Sequence, residues 1–279
     1  MSVPFIDAAE VARRLAVPEA ADALEAALLN RLDPEADPPR GAVELDRGEL
    51  LLMPSGAAGD PVVKLVTVGG EPRIQGVCVV FDGATLAPLA LVDGIAVTNL
   101  RTAAVSALAV RRLAVPDARR LLVFGRGPQA HAHVEALRAT HPIERIDMVG
   151  RDHGPVDELV AAADIVCCCT TAREPLFDGT LVADHAVVVA IGSHEPEARE
   201  TDEALAARAT IVVESRASAL REAGDVILAI ESGATISREL VTLGELVRGE
   251  AEPAAGRPRL FKSTGMAWED AVVAARLAR

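Results

Sequence analysis

Between residues 5 and 32 apolar residues recur at helical spacing with Pro18 among them, which predicts two helices or one broken helix. Pro34, Pro38 and Pro39 then mark a loop that delivers Arg40 to a region of different texture. There the apolar runs shorten to strand length. Residues 41–56 read as a hairpin turning at Asp46 to Gly48, and PVVKLVTV as a strand with Lys64 near its start. GVCVVFD and PLALVDG read as two more strands joined around Gly83. A helical segment followed by mostly antiparallel strands is an α+β layer. At Val97 the pattern turns polar and then becomes a small-residue helix from about Thr102 to Leu113. From Leu121 onward LLVFG, RIDMVG, DIVCCCTT, AVVVAIG and TIVVES alternate with helical stretches, which predicts a parallel sheet with crossover helices. FKSTG reads as a last short strand and turn before an amphipathic helix from about Ala267. The fold class is therefore α/β, a Rossmann-type doubly wound parallel sheet joined to an α+β domain.

The stretch LLVFGRGPQA carries the sharpest signal. A strand-length apolar run meets a turn of the form G-x-G-x-x-A, with Gly125, Gly127 and Ala130 at the small positions, and a helix opens behind it. Gly125 permits the sharp turn, Gly127 lets backbone approach a pyrophosphate, and Ala130 lets the helix sit close on the strand. The helix start offers N–H groups and a positive dipole end to a diphosphate. Arg126, Pro128 and Gln129 complete the turn. After the next strand come Gly150, Arg151 and Asp152. An acid at that tip binds the ribose hydroxyls of NAD, whereas an arginine accommodates the extra phosphate of NADP. Arg151 comes first and favours NADP, while Asp152 keeps NAD open.

Composition narrows the function classes. The 279 residues carry a net charge of -13, which opposes nucleic-acid binding, and they are half hydrophobic, enough for a large core and two domains. The longest apolar runs are strand-length and no charged-then-apolar leader opens the chain, so a cytoplasmic, soluble protein is expected. Cys167, Cys168 and Cys169 are consecutive in an apolar run and Cys78 lies in another. That spacing suits small buried hydrophobes, and neither a metal site nor a disulfide framework. Of the 28 basic residues only Lys64 and Lys262 are lysines. Against so strong an arginine bias, a retained lysine is either a chance survivor or a position where a compact ammonium of adjustable pKa serves and a guanidinium does not.

Several candidates lie at strand ends, where loops of an open parallel sheet face a ligand crevice. Thr170 and Thr171 close one strand, and Ser193, His194 and Glu195 close the next. His194 reads either as a proton donor or as a loop histidine bonded to backbone. Glu195, Glu197 and Glu200 read as a solvated acidic face. Arg101 is expected near the N-terminus of its helix, where a cation opposes the dipole and an anion-binding role explains it better than a structural one. Lys262 stands just before Gly265, at an expected return between domains.

Arg40 in PPRG, LLLMPSG, Lys64 in KLVTV, PLALVDG, RTAA from Arg101, GRGPQA, DIVCCCTT, GSHEPEARE and FKSTGMAWED occur in an order that resembles the ornithine cyclodeaminase and mu-crystallin superfamily. The resemblance covers nearly the whole chain. It implies a homodimer in which residues 1–110 and 266–279 form a dimerisation and substrate domain and residues 111–265 a dinucleotide-binding domain. It implies a substrate carboxylate held by Arg40, Lys64 and Arg101, with Lys64 and His194 as catalytic groups. It also implies NADP or NAD held by Gly125 to Ala130, Arg151, Asp152, Thr170, Thr171, Ser193, Lys262 and Gly265. Cyclodeaminases in this superfamily carry an aspartate in a G-x-D-x-P-G-K segment. Here that segment is Gly192 to Ala198, with His194 at the aspartate position and no Gly-Lys pair. An imidazole holds a cationic side-chain amine poorly. The loop from Val68 to Gln75 is also shorter than the resemblance leads one to expect. The implied activity is NAD(P)H-dependent reduction of a small cyclic imino acid such as pyrroline-2-carboxylate or piperideine-2-carboxylate. The alternatives are ornithine cyclodeaminase or an amino-acid dehydrogenase and, in another class, a nucleotide-dependent small-ligand binding protein.

Overall fold

A computed structural model describes residues 3–279, which form two compact units. One unit comprises the chain as far as Val105 together with Met266–Arg279; the other comprises Ser106–Gly265.

The first unit opens with β1 (Phe5–Ile6), α1 (Ala8–Arg14) and α2 (Val17–Leu29). Asp7 caps α1 by accepting the Glu10 N–H at 2.9 Å. The helices break at Leu15 and Ala16. Pro18 lies in the first turn of α2, where a missing N–H leaves no intrahelical bond unmade, so it starts a helix and does not interrupt one. Strands β2 (Gly41–Leu45), β3 (Gly48–Ser55), β4 (Val62–Val68), β5 (Ile74–Phe81) and β6 (Pro88–Asp93) follow. With β1 they make a six-stranded sheet in the order β1-β6-β5-β4-β3-β2, antiparallel except where β1 meets β6. Directly opposed residues share a face. Met53, Lys64, Cys78 and Val92 therefore form one row across four strands, and all four are buried. Lys64 is a lysine set into an otherwise apolar row.

Helix α3 (Gly94–Leu113) starts eight residues before the position the sequence pattern indicates. Asp93 Oδ1 accepts the N–H groups of Ile95 at 3.0 Å and Ala96 at 2.8 Å, so the polar stretch at 98–99 is helix and not loop. Arg101 consequently sits two turns inside the helix, and the dipole argument for its role lapses.

The second unit is built of β7 (Arg120–Phe124), α4 (Pro128–Thr140), β8 (Arg145–Val149), α5 (Asp157–Ala162), β9 (Ile165–Cys168) and β10 (Val187–Ala190). It continues with α6 (Glu203–Arg208), β11 (Thr210–Val213), α7 (Arg216–Glu222), α8 (Gly224–Glu231), β12 (Val241–Thr242), α9 (Leu243–Val247) and β13 (Arg259–Lys262). The seven strands run parallel in the order β12-β11-β13-β10-β9-β7-β8. Buried on both faces, β9 and β10 are uninterrupted apolar runs. Strand order reverses at β7, between β8 and β9, which is the switch point where a parallel sheet of this type binds ligands. The FKSTG strand, β13, is not at the edge: it inserts between β10 and β11.

Helix α10 (Ala267–Ala278) returns to the first unit and packs on β3, β4, β5, β6 and α2, with Trp268, Val273 and Leu277 buried. No helix among the described residues is long and apolar enough to cross a membrane.

Candidate active site

The buried row of the first sheet meets the first turn of α10. Lys64 Nζ lies 2.7 Å from Asp270 Oδ2 and donates to Thr98 Oγ1 at 3.3 Å. Arg101 spans the neighbouring pair, donating from Nε to Asp270 Oδ1 at 3.1 Å and from Nη1 to Glu269 Oε2 at 2.7 Å. Two cations and two carboxylates thus form a charge-balanced cluster, with Glu269 and Asp270 wholly buried. Burial pulls the Lys64 pKa down and Arg101 adds to the fall, against the pull of Asp270 in the other direction. Asp37, in the proline loop, accepts the Ser55 hydroxyl at 2.7 Å and the Trp268 N–H. Its carboxyl is pushed up by burial and, to a smaller extent, by Asp270.

Arg40 stands one residue before the β2–β3 ladder. Extended by that residue, the register sets Arg40 opposite Met53, which pairs with Lys64. Arg40 and Lys64 are therefore in one row, two strands or about 10 Å apart. The sequence reading placed three cations here and missed the carboxylates that face two of them. Acidic residues in a first helical turn are ordinary partners of the dipole, and this hid Glu269 and Asp270.

In the second unit, the turn after β7 has the geometry that its glycines imply. Gly125 has φ +113, and a Cβ there would collide with the Cys169 carbonyl. A Cβ on Gly127 would meet nothing within 4 Å, so the chain's own packing does not require glycine at the N-cap of α4. That open approach to a helix N-terminus, with Pro128 in the first turn and Ala130 fully buried against the sheet, fits a diphosphate. At the tip of β8, Arg126 Nη1 donates to both Asp152 oxygens, at 3.1 and 3.3 Å. Arg151 Nη2 reaches Thr171 Oγ1 at 3.5 Å. Two arginines and one acid therefore cluster at the tip of β8.

The remaining candidates divide. Ser193 is buried and His194 exposed in the loop after β10. Lys262 is turned inward: Nζ is buried, 2.9 Å from Asp225 Oδ2, and donates to the Ser193 carbonyl at 2.8 Å. Gly265 belongs to a turn held by the buried Glu214 carboxylate, which accepts from Ser263 Oγ and from the N–H groups of Thr264 and Gly265. Glu200 corrects the expected acidic face. It is fully buried and accepts from the Thr170 N–H, the Thr170 hydroxyl and the Gly192 N–H. Glu195 and Glu197 are exposed, and Glu195 pairs with Arg173. The cysteines of β9 are buried and burial raises their thiol pKa values, so they act as small hydrophobes.

A parallel sheet with a phosphate-binding turn at its switch point, in a chain that also buries a lysine–carboxylate cluster, defines a dinucleotide-dependent oxidoreductase. The chain belongs to the ornithine cyclodeaminase/mu-crystallin family, whose model matches residues 3–155 and 154–279. It is 35% identical over 253 residues to the ketimine reductase mu-crystallin of Rattus norvegicus, covering 82% of this chain and 79% of the relative. It is 36% identical over 234 residues to a Delta(1)-pyrroline-2-carboxylate reductase of Paracoccus denitrificans, covering 75% and 74%. Among solved structures, the Thermococcus litoralis Delta(1)-pyrroline-2-carboxylate reductase in complex with NADH and L-proline superposes with a TM-score of 0.89. That match has 26% identity and covers 99% of this chain and 96% of that one.

Proposed function

We propose that this enzyme reduces a small cyclic ketimine carboxylate of the pyrroline or piperideine type to the corresponding cyclic amino acid. The observation that carries the reading is the buried Lys64–Asp270 pair on the inner face of the first sheet. Lys64 Nζ supplies a donor for the substrate carboxylate, with Arg40 in the same row as a second cation. The Asp270 carboxylate complements a cationic, protonated imine nitrogen and disfavours a neutral one. Arg101 holds Glu269 and Asp270 in place from α3. Because burial lowers its pKa, Lys64 Nζ is able to release a proton that an exposed lysine would keep. His194 is a second proton source, on the loop after β10.

In the second unit the backbone of Gly125 to Ala130 and the start of α4 hold the diphosphate, and Arg126, Arg151 and Asp152 meet the adenosine ribose end. When bound, the reduced nicotinamide supplies the hydride. The rest of the rate enhancement comes from orientation and charge.

The outward face of the first sheet supports a homodimer. Val43, Leu50, Leu52, Leu65, Val77 and Val79 share that face, and Val43 is 47% exposed. An antiparallel sheet open to water alternates apolar with polar residues; this one is apolar on both faces.

The deciding experiment follows NADPH and NADH oxidation with pyrroline-2-carboxylate and piperideine-2-carboxylate, beside conversion of ornithine to proline with catalytic NAD. Imine-dependent oxidation without proline from ornithine is the expected result. Proline from ornithine replaces the reductase with a cyclodeaminase, despite His194 in the aspartate position.

A further inference from the structure

Glu200 joins two neighbouring strand tips. Its Oε1 accepts from Thr170 N at 2.9 Å and Thr170 Oγ1 at 2.7 Å, and its Oε2 from Gly192 N at 2.8 Å. Thr170 lies two residues past β9 and Gly192 two past β10, which are adjacent in the sheet. The segment that carries Glu200 is fixed in turn. Asp225 Oδ1 accepts from Glu200 N at 2.9 Å, Thr201 N at 2.8 Å and Thr201 Oγ1 at 2.8 Å. Asp225 Oδ2 faces Lys262, whose Nζ also holds the Ser193 carbonyl. Apart from the Lys262–Asp225 pair, every tie of this network ends on the loop after β9 or the loop after β10.

The three charged groups are all buried, with Glu200 at 0%, Lys262 at 1% and Asp225 at 2% exposure. One ammonium against two carboxylates leaves an excess negative charge inside the protein. Buried charge is costly, and apolar packing of similar volume commonly stabilises as well or better. Stability alone is therefore a poor reason for Glu200. In an open parallel sheet, ligands bind beyond the carboxyl ends of the strands, where these two loops lie.

We propose that Glu200 is a positioning residue of the dinucleotide site: as a carboxylate it fixes the backbone after β9 and β10, and its protonation loosens that backbone and weakens cofactor binding. This rests on the reading of the second unit as dinucleotide-binding. A carboxylate accepts all three donors, whereas a carboxylic acid carries a hydrogen where one of them was received. The groups facing Glu200 are Lys262 from β13, Asp225 from α8 and the thiols of Cys167, Cys168 and Cys169. Burial raises all three thiols further above neutrality. For Asp225 burial is outweighed by Lys262 and by its hydrogen bonds, which hold it low. Glu200 itself is pushed up to about 7, by burial first and by Asp225, with Lys262, Thr170 and Gly192 opposing.

The test is direct titration of NADH from pH 6 to 8 against the wild type and Glu200→Gln, together with hydrogen exchange of the Thr170 and Gly192 amides in the wild type. NADH is the probe because the phosphate monoester of NADPH titrates in the same range. The wild-type Kd is expected to rise about tenfold on acidification, the worth of one hydrogen bond to a charged acceptor. Glu200→Gln is expected to bind about tenfold more weakly than wild type at pH 8, with a flatter profile. Amide exchange, corrected for its intrinsic pH dependence, is expected to quicken at both positions on acidification. Wild-type affinity and slope in Glu200→Gln, or pH-independent protection of both amides, overturns the proposal. If the variant does not fold, the wild-type exchange decides. If the wild type binds neither NADH nor, in a second titration at pH 8, NADPH, the dinucleotide reading fails, while the exchange still reports on the carboxylate tie.

Discussion

Lys64 Nζ lies 2.7 Å from Asp270 Oδ2, and the two side chains are 3% and 0% exposed. Replacement by Lys64→Met removes the ammonium while leaving Asp270 paired with Arg101. Turnover with a ketimine substrate is expected to fall by about 10²–10⁴. The Kd for NADH, measured by direct titration, stays within about twofold, as it does when a lost group acts on the reaction and not on cofactor binding. A parallel loss of both moves Lys64 out of the substrate site.

Arg101 donates to two buried carboxylates, so Arg101→Met takes a charged partner from both Glu269 and Asp270. Unfolding in urea is expected to show a loss of about 3–5 kcal/mol. Adding Glu269→Gln to that variant is expected to restore part of it. A loss below about 1 kcal/mol, the range of exposed pairs, means that the cluster is open in solution.

At the tip of β8, Arg151→Ala is expected to weaken NADPH binding by about tenfold, one charge-assisted contact to a phosphate, and to leave NADH nearly unchanged. Asp152→Ala is expected to act on NADH first. Equal effects on both cofactors from each variant place this pair away from the ribose.

Two buried groups with shifts of opposite sign act on stability between pH 4 and 8. His133 is held down at about 4, because burial outweighs its bond to the Gln129 carbonyl; its stabilisation is complete above pH 6.5 and is lost as pH falls through about 4. Glu200 has a raised pKa, so its contribution is complete below pH 4.5 and is lost as pH rises through about 7. Melting temperatures between pH 4 and 8 are expected to show the two partly cancelling in the wild type. Glu200→Gln flattens the alkaline side and His133→Gln the acid side. An unchanged profile in either variant excludes that residue as the source.

The outward face of the first sheet gives a prediction about assembly. Leu52→Glu and Leu65→Glu, at paired positions in the middle of that face, are expected to shift sedimentation from dimer to monomer. A wild type that sediments as a monomer removes the dimer from the proposal.

Much of this was legible in the sequence, for identifiable reasons. All strands but the two-residue β1 and β12, and the G-x-G-x-x-A turn, show because apolar run length and glycine spacing are local signals. Lys64 stands out because an arginine bias exposes the exception. The same rule led to Lys262, a buried lysine that holds the Ser193 carbonyl of the loop after β10. The start of α3 was hidden because Thr98 and Asn99 read as loop, while the cap that begins the helix, Asp93, ends an apparent strand motif. Glu200, Asp225, Glu269 and Asp270 were hidden because an acidic residue is ordinarily at the surface. Only residues distant in the chain show that these are not.

The position of β13 also constrains how the chain is made. Strands are synthesised in order, yet this late one belongs in the middle of its sheet, between β10 and β11. Until residues 259–262 leave the ribosome, the second unit is two part-sheets with unsatisfied edges facing each other, a state open to mispairing. The first unit waits on the same stretch of synthesis. Before α10 arrives, Lys64 and Arg101 lack the carboxylates that answer them, and the inner face of the sheet lacks its cover. The second unit lacks its central strand until β13 is made, and the first lacks its cover until α10 follows, so both keep unsatisfied surface exposed late in synthesis.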